Sequence, residues 1–184
     1  MPAPEDDPAE ILRPPAPFVH RFIATGAFSG YSPWASGTVG SLVGILCYLV
    51  PGASSPVVLP IMIVAVFFIG RASAARVAEA VGHRIQGTAK LAKTHFQGEA
   101  PGHPDPSIVV IDEIVGMWIA LLFVPTTLPA VLIAFTTFRL FDIVKPPPAA
   151  GLERYGRGWG IMLDDVVAGA YACIVTHLTL RLIG

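Results

Sequence analysis

The sequence predicts an all-α integral membrane protein with about four to five apolar helices. Hydrophobic residues make up 53% of its 184 residues and charged residues only 14%, whereas a soluble domain carries roughly 25% charged residues. The apolar residues are gathered into stretches that lack the period-two alternation of β-strands. Because backbone polar groups in lipid must be satisfied inside the spanning element, we expect these stretches to be helices.

Five apolar stretches account for the predicted helices, at residues 38–50, 57–70, 108–124, 128–144 and 161–183. Several are shorter than the ~20 residues that cross a ~30 Å hydrocarbon core, so a soluble bundle of core helices remains an alternative. Before them, residues 1–17 are acidic and rich in proline, a composition typical of disorder. We therefore expect a disordered tail over 1–17 and a single helical domain over 18–184.

Lys and Arg residues are unevenly distributed between the turns that join these stretches. The turns at 51–56 (PGASSP) and 125–129 (PTTLP) carry no charge, whereas segments 71–106 and 145–160 are rich in Lys and Arg. Cytoplasmic segments of membrane proteins collect Lys and Arg. Both basic segments and the N terminus are therefore predicted to lie in the cytoplasm. The net charge of −1 gives no reason to expect nucleic-acid binding.

Carboxylates from three of the stretches fall at this predicted cytoplasmic level. Asp112 and Glu113 begin the third stretch, Asp142 lies at the end of the fourth, and Asp164 and Asp165 lie in the first turn of the fifth. Ionisable residues at the margin of an apolar core are costly and usually mark a functional site. A helix start alone also favours a carboxylate, which would explain Asp164 but not Asp142.

Carboxylates that meet in a small volume repel each other, and a divalent cation relieves this repulsion. Oxygen ligands suit Mg²⁺, which binds through a few carboxylates together with substrate phosphate. No Cys and His residues have the spacing of a zinc site. Among the scattered histidines, His103 is a weaker site candidate, and His177 is expected to make a buried polar contact.

A loop rich in glycine and serine, residues 30–41 (GYSPWASGTVGS), leads into the first stretch. A helix that begins near Thr38 would aim free N–H groups and its positive end at an anion. The hydroxyl groups of Thr38 and Ser41 add possible donors. Loops of this composition are common in membrane proteins, so the motif alone is weak evidence for a phosphate site.

Two basic residues flank Asp142 in the sequence: Arg139 lies three residues before it and Lys145 three residues after it. Residues three apart are neighbours on a helix surface, so all three should share one helix face. The two cations could bind phosphate, pair with Asp142, or extend to lipid headgroups. The prolines at 146–148 should stop the helix directly after Lys145.

At these residues the sequence resembles the phosphatidylglycerophosphatase A family. Four blocks match in order: 26–42 (GAFSGYSPWASGTVGSL), 108–118 (IVVIDEIVGMW), 138–148 (FRLFDIVKPPP) and 158–169 (GWGIMLDDVVAG). The resemblance implies a helical, Mg²⁺-dependent lipid phosphatase that hydrolyses phosphatidylglycerophosphate to phosphatidylglycerol. It also implies a bacterial cytoplasmic membrane as the location, with the active site facing the cytoplasm. The sequence does not fix the oligomeric state, and a homo-oligomer is compatible with it.

The resemblance also assigns site residues. The family's acidic positions fall on Asp112, Glu113, Asp142, Asp164 and Asp165. Its glycine-loop positions fall on Gly37, Thr38, Gly40 and Ser41, and its basic positions fall on Arg139 and Lys145. Our hypothesis for the mechanism is that one or two Mg²⁺ ions are held by Asp112, Glu113, Asp164 and Asp165. The loop and the two cations would bind the substrate phosphate, and Asp142 would orient a water or complete the metal shell.

Two features depart from the family pattern. Ser36, where the family usually has proline, precedes Gly37, and segment 84–103 is longer than expected. Helical structure is expected to continue through 71–81 and to become irregular at 98–106 (GEAPGHPDP). Asp105 falls where the family often has an aspartate and is a secondary site candidate.

Three other classes of membrane protein remain as alternatives. A transporter would place its acids near the midplane, often with repeat symmetry, and neither feature is visible. A phospholipid phosphotransferase would carry a run of the form DG…AR…G…D…D, which does not occur here. A structural membrane protein would not need five acids and a lysine at one level. Phosphate release from a lipid phosphomonoester, measured with and without EDTA, separates the three.

Overall fold

The structure is a computed structural model that describes residues 16–91, 108–152, 155–156 and 158–183. Across these residues every regular element is a helix and no strand is present, which confirms the predicted all-α class. Residues 1–15 of the predicted tail, and the candidates His103 and Asp105, lie outside the described residues.

The described elements follow one another along the chain as a series of helices. They are α1 (Phe18–Ala24), a 3-10 turn (Ser29–Tyr31), α2 (Ser36–Tyr48), α3 (Val58–Leu91), α4 (Ile111–Ala120), α5 (Leu128–Val144), α6 (Ala149–Leu152) and α7 (Trp159–Ile183). Two segments, Val58–Ala80 of α3 and the whole of α7, are long and apolar enough to cross a membrane. The apolar helices α2, α4 and α5 are shorter, with 13, 10 and 17 residues.

Two helix boundaries differ from those expected. Helix α3 runs on to Leu91, ten residues past the segment 71–81 that was expected to be helical. Residues 71–80 contain five alanines, which favour helix, and no proline occurs between 61 and 91 to end it. Helix α4 is shorter than its apolar stretch. At its start, the Val110 N–H donates a hydrogen bond to the Ala24 carbonyl (2.9 Å) instead of joining a helix. At its end, Phe123 adopts a positive φ of 59° that a helix does not permit.

Large apolar side chains cover the outside of this bundle, while its interior is lined by many small ones. Alanines at the helix contacts are almost fully buried, with exposures of 0% to 1%: Ala74, Ala134, Ala168 and Ala172. Large residues on α2, α3 and α7 point outward, with exposures above 50%: Leu46, Ile61, Val64, Phe68, Ile174, Leu178 and Leu182. Small residues between helices and large ones outside are typical of a protein whose surface faces lipid.

Helix α4 lies at the centre and packs most extensively against α7, with α2 next. The α4–α7 contact is close because two glycines face it. A Cβ on Gly169 would overlap the Gly116 carbonyl oxygen, and a Cβ on Gly116 would lie 2.8 Å from the Asp165 carbonyl oxygen. This backbone contact sets the distance between the start of α4 and the second turn of α7.

Side chains from α2 and α7 satisfy the carbonyl groups that follow the short helix α4. The Tyr48 hydroxyl donates to the Val124 carbonyl, and His177 Nε2 lies 2.8 Å from the Leu122 carbonyl. An unsatisfied carbonyl in an apolar medium is costly. The contact of His177 is the polar contact expected from the sequence, at a side chain that is partly buried.

Replacing His177 by leucine should lower the stability of the protein without changing its catalytic rate. The change keeps the side-chain volume but removes the donor to Leu122, and hydrogen bonds between membrane helices contribute about 0.6–1.7 kcal/mol. Thermal unfolding in detergent at a fixed scan rate measures the effect. The His177→Gln variant, which keeps an N–H donor, should lose less stability. A His177→Leu protein that unfolds at the wild-type temperature would contradict this role.

Candidate active site

Three carboxylates from two helices meet at one end of the bundle. Asp112 and Glu113 lie in the first turn of α4, and Asp165 lies on α7, whose backbone touches α4 at Gly116. One carboxylate oxygen from each of the three lies within 4.8 Å of those of the other two. Asp112 and Asp165 are only 5% and 3% exposed, so their charges sit in a medium that strengthens electrostatic interactions.

Asp142 joins this group from the end of α5. It lies within hydrogen-bonding reach of the Asp165 carboxyl, and its negative charge also acts on Glu113. Arg139, one turn earlier, binds it through Nη1 and Oδ2 at 2.8 Å. The same Nη1 lies 3.4 Å from the hydroxyl oxygen of Ser41 on α2. The shared helix face predicted for Arg139 and Asp142 is therefore present, and it is turned towards the carboxylates of α4 and α7.

Lys145 does not continue the helix face that its spacing from Asp142 predicted. Helix α5 ends at Val144, and Lys145 follows it in a left-handed conformation with φ of 46°. Its ammonium lies 2.7 Å from Asp164 Oδ2, so Lys145 contacts α7. The other oxygen of Asp164 accepts the backbone N–H of Asp165 at 3.0 Å. Since α7 begins at Trp159, both aspartates lie in its second turn rather than its first.

The glycine-rich loop borders the carboxylates through its backbone. Helix α2 begins at Ser36, and the preceding Ala35 has a positive φ of 39°. A Cβ on Gly37 would overlap Glu113 Oε1 and lie 3.1 Å from Arg139 Nη1. The first turn of α2 thus points its N-terminal end at the acidic group, where free N–H groups attract an anion. Thr38 is half-buried in the same turn.

Two of the predicted loop residues face inward and serve packing or positioning. Ser41 is fully buried, and its hydroxyl donates to the Gly37 carbonyl at 2.9 Å. This is the bond to the preceding turn that serine often makes in a helix, and it orients the hydroxyl oxygen towards Arg139. Gly40 packs against Val110, whose Cβ would lie 2.8 Å from an added Cβ. Neither residue opens onto the carboxylates as Gly37 does.

Gly116 and Gly169, which no site prediction included, fix the spacing of the carboxylates. Each follows an aspartate of the group by four residues, Asp112 and Asp165 respectively. Residues four apart share a helix face, so a glycine there lets the two backbones approach beside the acids. An aspartate followed four residues later by glycine, repeated on two helices, is the sequence signal that could have identified this contact.

The described residues therefore bring five carboxylates to one site, with Arg139 and Lys145 as the cations bound to two of them. Glu113 Oε2 is buried and accepts no hydrogen bond from the described part of the chain. Such an arrangement of hard oxygen donors can hold a divalent cation. The adjoining helix start and the two cations can bind the oxygens of a phosphate group.

Comparison with known proteins shows which proteins this chain is similar to. The family model for phosphatidylglycerophosphatase A matches residues 22–180. A Bacteroides thetaiotaomicron protein, provisionally named a phosphatidylinositol-3-phosphatase, is 34% identical over 175 residues, which cover 91% of this chain and 97% of the relative. Phosphatidylglycerophosphatase A of Escherichia coli K12 is 31% identical over 162 residues, covering 84% and 80%. The Haemophilus influenzae protein of that name is 45% identical over 76 residues, covering 40% and 47%.

No solved structure matches the chain. The family match, which extends over most of the chain, confirms both the predicted resemblance and the predicted class of enzyme, a phosphatase. Together with the two apolar helices long enough to span a bilayer, it indicates a membrane protein. The chain belongs to the phosphatidylglycerophosphatase A family.

Proposed function

We propose that the protein is a Mg²⁺-dependent phosphatase that hydrolyses phosphatidylglycerophosphate to phosphatidylglycerol and phosphate, a step of phospholipid synthesis. The observation that carries the proposal is the group of three carboxylate oxygens within 4.8 Å beside the amino-terminal end of α2. Two relatives bear the name phosphatidylglycerophosphatase A. An acyl-chain lipid would remain in the membrane while its terminal phosphate enters the site.

The residues that would hold Mg²⁺ are Asp112, Glu113 and Asp165. Their oxygen donors suit a hard cation, and the buried Glu113 Oε2 accepts no hydrogen bond from the described residues. Asp164, which the sequence analysis also assigned to the metal, is bound by Lys145 instead. When bound, the ion would neutralise phosphate oxygens and lower the pKa of a water molecule.

The remaining residues would position the phosphate and the water. The N–H groups at the start of α2, together with Arg139 and Lys145, would bind the phosphate oxygens on which negative charge is concentrated during the reaction. Ser41 would keep Arg139 in place through its hydroxyl oxygen. Asp142, whose Oδ2 is bound by Arg139, would orient the attacking water and accept its proton through Oδ1.

We further propose that the site faces the cytoplasm at the inner membrane of a bacterium. The uncharged turns at 51–56 and 125–129 lie at the opposite ends of α2 and α5 from the candidate site. The basic residues Arg71, Arg139 and Lys145 belong to the site end. An excess of Lys and Arg on one side favours a cytoplasmic orientation of that side.

Phosphate release by the purified full chain tests the proposed activity. Phosphatidylglycerophosphate and phosphatidylinositol 3-phosphate, each in detergent micelles, are supplied at equal surface concentration with Mg²⁺ or with EDTA. We expect rapid release from phosphatidylglycerophosphate, slower release from the inositol lipid, and loss of both in EDTA with recovery on added Mg²⁺. Faster turnover of the inositol lipid would transfer the assignment to the activity named in the Bacteroides relative. Undiminished turnover after exhaustive chelation would overturn the metal assignment.

Replacing Gly37 by alanine should lower kcat/KM by about 10²-fold, because misplacing a catalytic group by about 1 Å has an effect of that size. The added methyl group overlaps Glu113 Oε1 and crowds Arg139, so one or both must move. Gly44→Ala is the matched control on the same helix, since its Cβ would meet neighbours only at 3.4 Å. Steady-state rates of the two variants are compared with wild type. Equal rates for Gly37→Ala and Gly44→Ala would contradict the placement of the loop.

A further inference from the structure

The described chain exposes a continuous aromatic surface beside the site, formed by Phe18, Phe22, Phe28, Tyr31 and Trp34. Their exposed fractions are 65%, 43%, 37%, 48% and 81%. The first four rings form an unbroken series of contacts with centroids 5.5 to 6.3 Å apart. A protein surrounded only by water rarely exposes so large an apolar patch without a partner for it. We call these five residues the aromatic surface.

The backbone beneath this surface is held in a strained conformation that turns its rings outward. Gly26, Ala27 and Phe28 all have positive φ, at 51°, 55° and 70°, and this region costs a residue with a side chain about 1–2 kcal/mol. Thr25, fully buried, fixes the turn: its hydroxyl donates to the Arg21 carbonyl at 2.8 Å and accepts the Phe28 N–H at 3.1 Å. The turn thus directs Phe28 onto the rings of α1 rather than into the core.

The opposite side of α1 is packed against the bundle, which leaves only the aromatic side for another partner. Ala24 is fully buried, its carbonyl accepts the Val110 N–H at 2.9 Å, and His20 Nδ1 lies 3.2 Å from the Ser73 hydroxyl on α3. The segment 18–34 is therefore fixed across the starts of α2 and α4. It cannot fold its rings inward without breaking these contacts.

Charge and position identify the partner as the boundary between lipid headgroups and acyl chains. Arg21 is the only Asp, Glu, Lys or Arg residue between positions 16 and 70, so the described segment that carries the aromatic surface has no carboxylate of its own to repel an anionic membrane. Below the aromatic surface, Leu42 and Leu46 extend the exposed apolar face along α2, at 46% and 67% exposure. Aromatic side chains concentrate at this boundary in membrane proteins because they have apolar bodies and, in Tyr and Trp, polar tips.

We propose that the aromatic surface is an interfacial anchor that fixes the depth of the active site in the bilayer. Trp34 precedes Gly37 by three residues and lies just before α2, so the two residues are at most about 11 Å apart along the chain. The anchor would hold the carboxylates directly beneath the headgroup layer. This inference concerns the position of the protein and does not depend on the proposed phosphatase activity.

Depth-dependent fluorescence quenching in liposomes tests the anchor. The full-length wild type and its Trp34→Phe variant differ in one fluorophore, so the difference between their spectra reports Trp34. Liposomes contain phosphatidylcholine and phosphatidylglycerol, with bromine near the carbonyl end or near the methyl end of the acyl chains. We expect bromine near the carbonyl end to quench the Trp34 signal more strongly than bromine near the methyl end, because interfacial side chains reach only about 5–10 Å into the boundary between headgroups and acyl chains.

Two further reporters in the Trp34→Phe background make the test independent of one variant. Phe18→Trp places a fluorophore at the far end of the aromatic surface and should be quenched at the same depth as Trp34. Leu46→Trp, on the outer face of α2, should be quenched most strongly by bromine near the methyl end. A Trp34 signal that acrylamide in water quenches and bromine does not would overturn the anchor. Protection from both quenchers would overturn it too, because a protein surface such as a second copy of the chain would then cover the rings.

Discussion

Replacing Asp165 by asparagine is expected to abolish turnover while leaving the protein folded and at least as stable as wild type. Asp165 is 3% exposed, and the negative charges of Asp142, Glu113 and Asp164 all act on it. Asparagine has nearly the same shape but no charge, so it relieves this repulsion and removes one oxygen donor of the proposed Mg²⁺ site. We expect kcat/KM to fall by about 10³-fold, the effect of removing a strong electrostatic contact in a reaction site.

Thermal unfolding with and without Mg²⁺ distinguishes the loss of a metal-binding side chain from damage to the fold. Mg²⁺ should raise the unfolding temperature of wild type, since a ligand at one hundred times its Kd contributes about 2.7 kcal/mol. The Asp165→Asn protein should unfold in EDTA at or above the wild-type temperature and respond weakly to Mg²⁺. Glu79→Gln, the same chemical change on an exposed residue of α3, should behave as wild type. Near-normal turnover by Asp165→Asn would contradict the metal assignment.

Replacing Lys145 by methionine is expected to destabilise the protein and to lower its activity. The ammonium of Lys145 lies 2.7 Å from Asp164 Oδ2, and the Asp164 side chain is only 5% exposed. Removing one member of a buried ion pair typically costs about 3–5 kcal/mol. We expect the lower end of this range because Lys145 is 28% exposed and water can enter after the change. Thermal unfolding in EDTA and the rate of phosphate release measure the two effects.

A double variant separates the two roles of Lys145. Adding Asp164→Asn to Lys145→Met removes the buried charge that the first change left without this cation, so most of the lost stability should return. Activity should stay low, because the cation proposed to bind phosphate is still missing. Recovery of both stability and activity in the double variant would show that Lys145 serves only to neutralise Asp164. A Lys145→Met protein as stable as wild type would contradict the importance of the pair.

The convergence of the acids was predictable because it follows from where each helix starts or ends. Asp112 and Glu113 begin one apolar stretch and Asp142 lies at the end of another, so the distribution of charge in the turns placed them at one level. The structure brings these residues together with Asp165. The all-α class followed from the same reading of apolar stretches. That reading did not predict the short helices α1 and α6, which lie outside the five stretches.

Side-chain direction at single residues was not predictable from spacing. A count of three residues from Asp142 placed Lys145 on the same helix face, but its left-handed backbone turns it to α7. The hydroxyl of Ser41 was expected to face phosphate, whereas it donates within its own helix to Gly37. Both outcomes depend on local backbone geometry and on neighbours from other helices, which a one-dimensional pattern does not contain.

The aromatic surface was also missed, for a different reason. Phe18, Phe22 and Phe28 would each be interpreted singly as core residues, since phenylalanine is usually buried. Their exposure arises from the positive φ values after Thr25 and from the packing of α1 on α3 by its other side. A positive φ can be anticipated from sequence at glycine, where it costs little free energy. It cannot be anticipated from composition at residues such as Ala27 and Phe28.

The contact between Gly116 and Gly169 has a consequence for how enzymes of this architecture can diversify. Main chain lies close to main chain there, and the Phe138 ring packs against Gly116, so the gap between the carboxylates of the candidate site depends on few side chains. Residues at the rim of the candidate site can therefore be exchanged, by natural drift or in the laboratory, with little effect on the distances between its carboxylates. Libraries that seek new lipid specificities should vary the rim of the site and leave both glycines untouched.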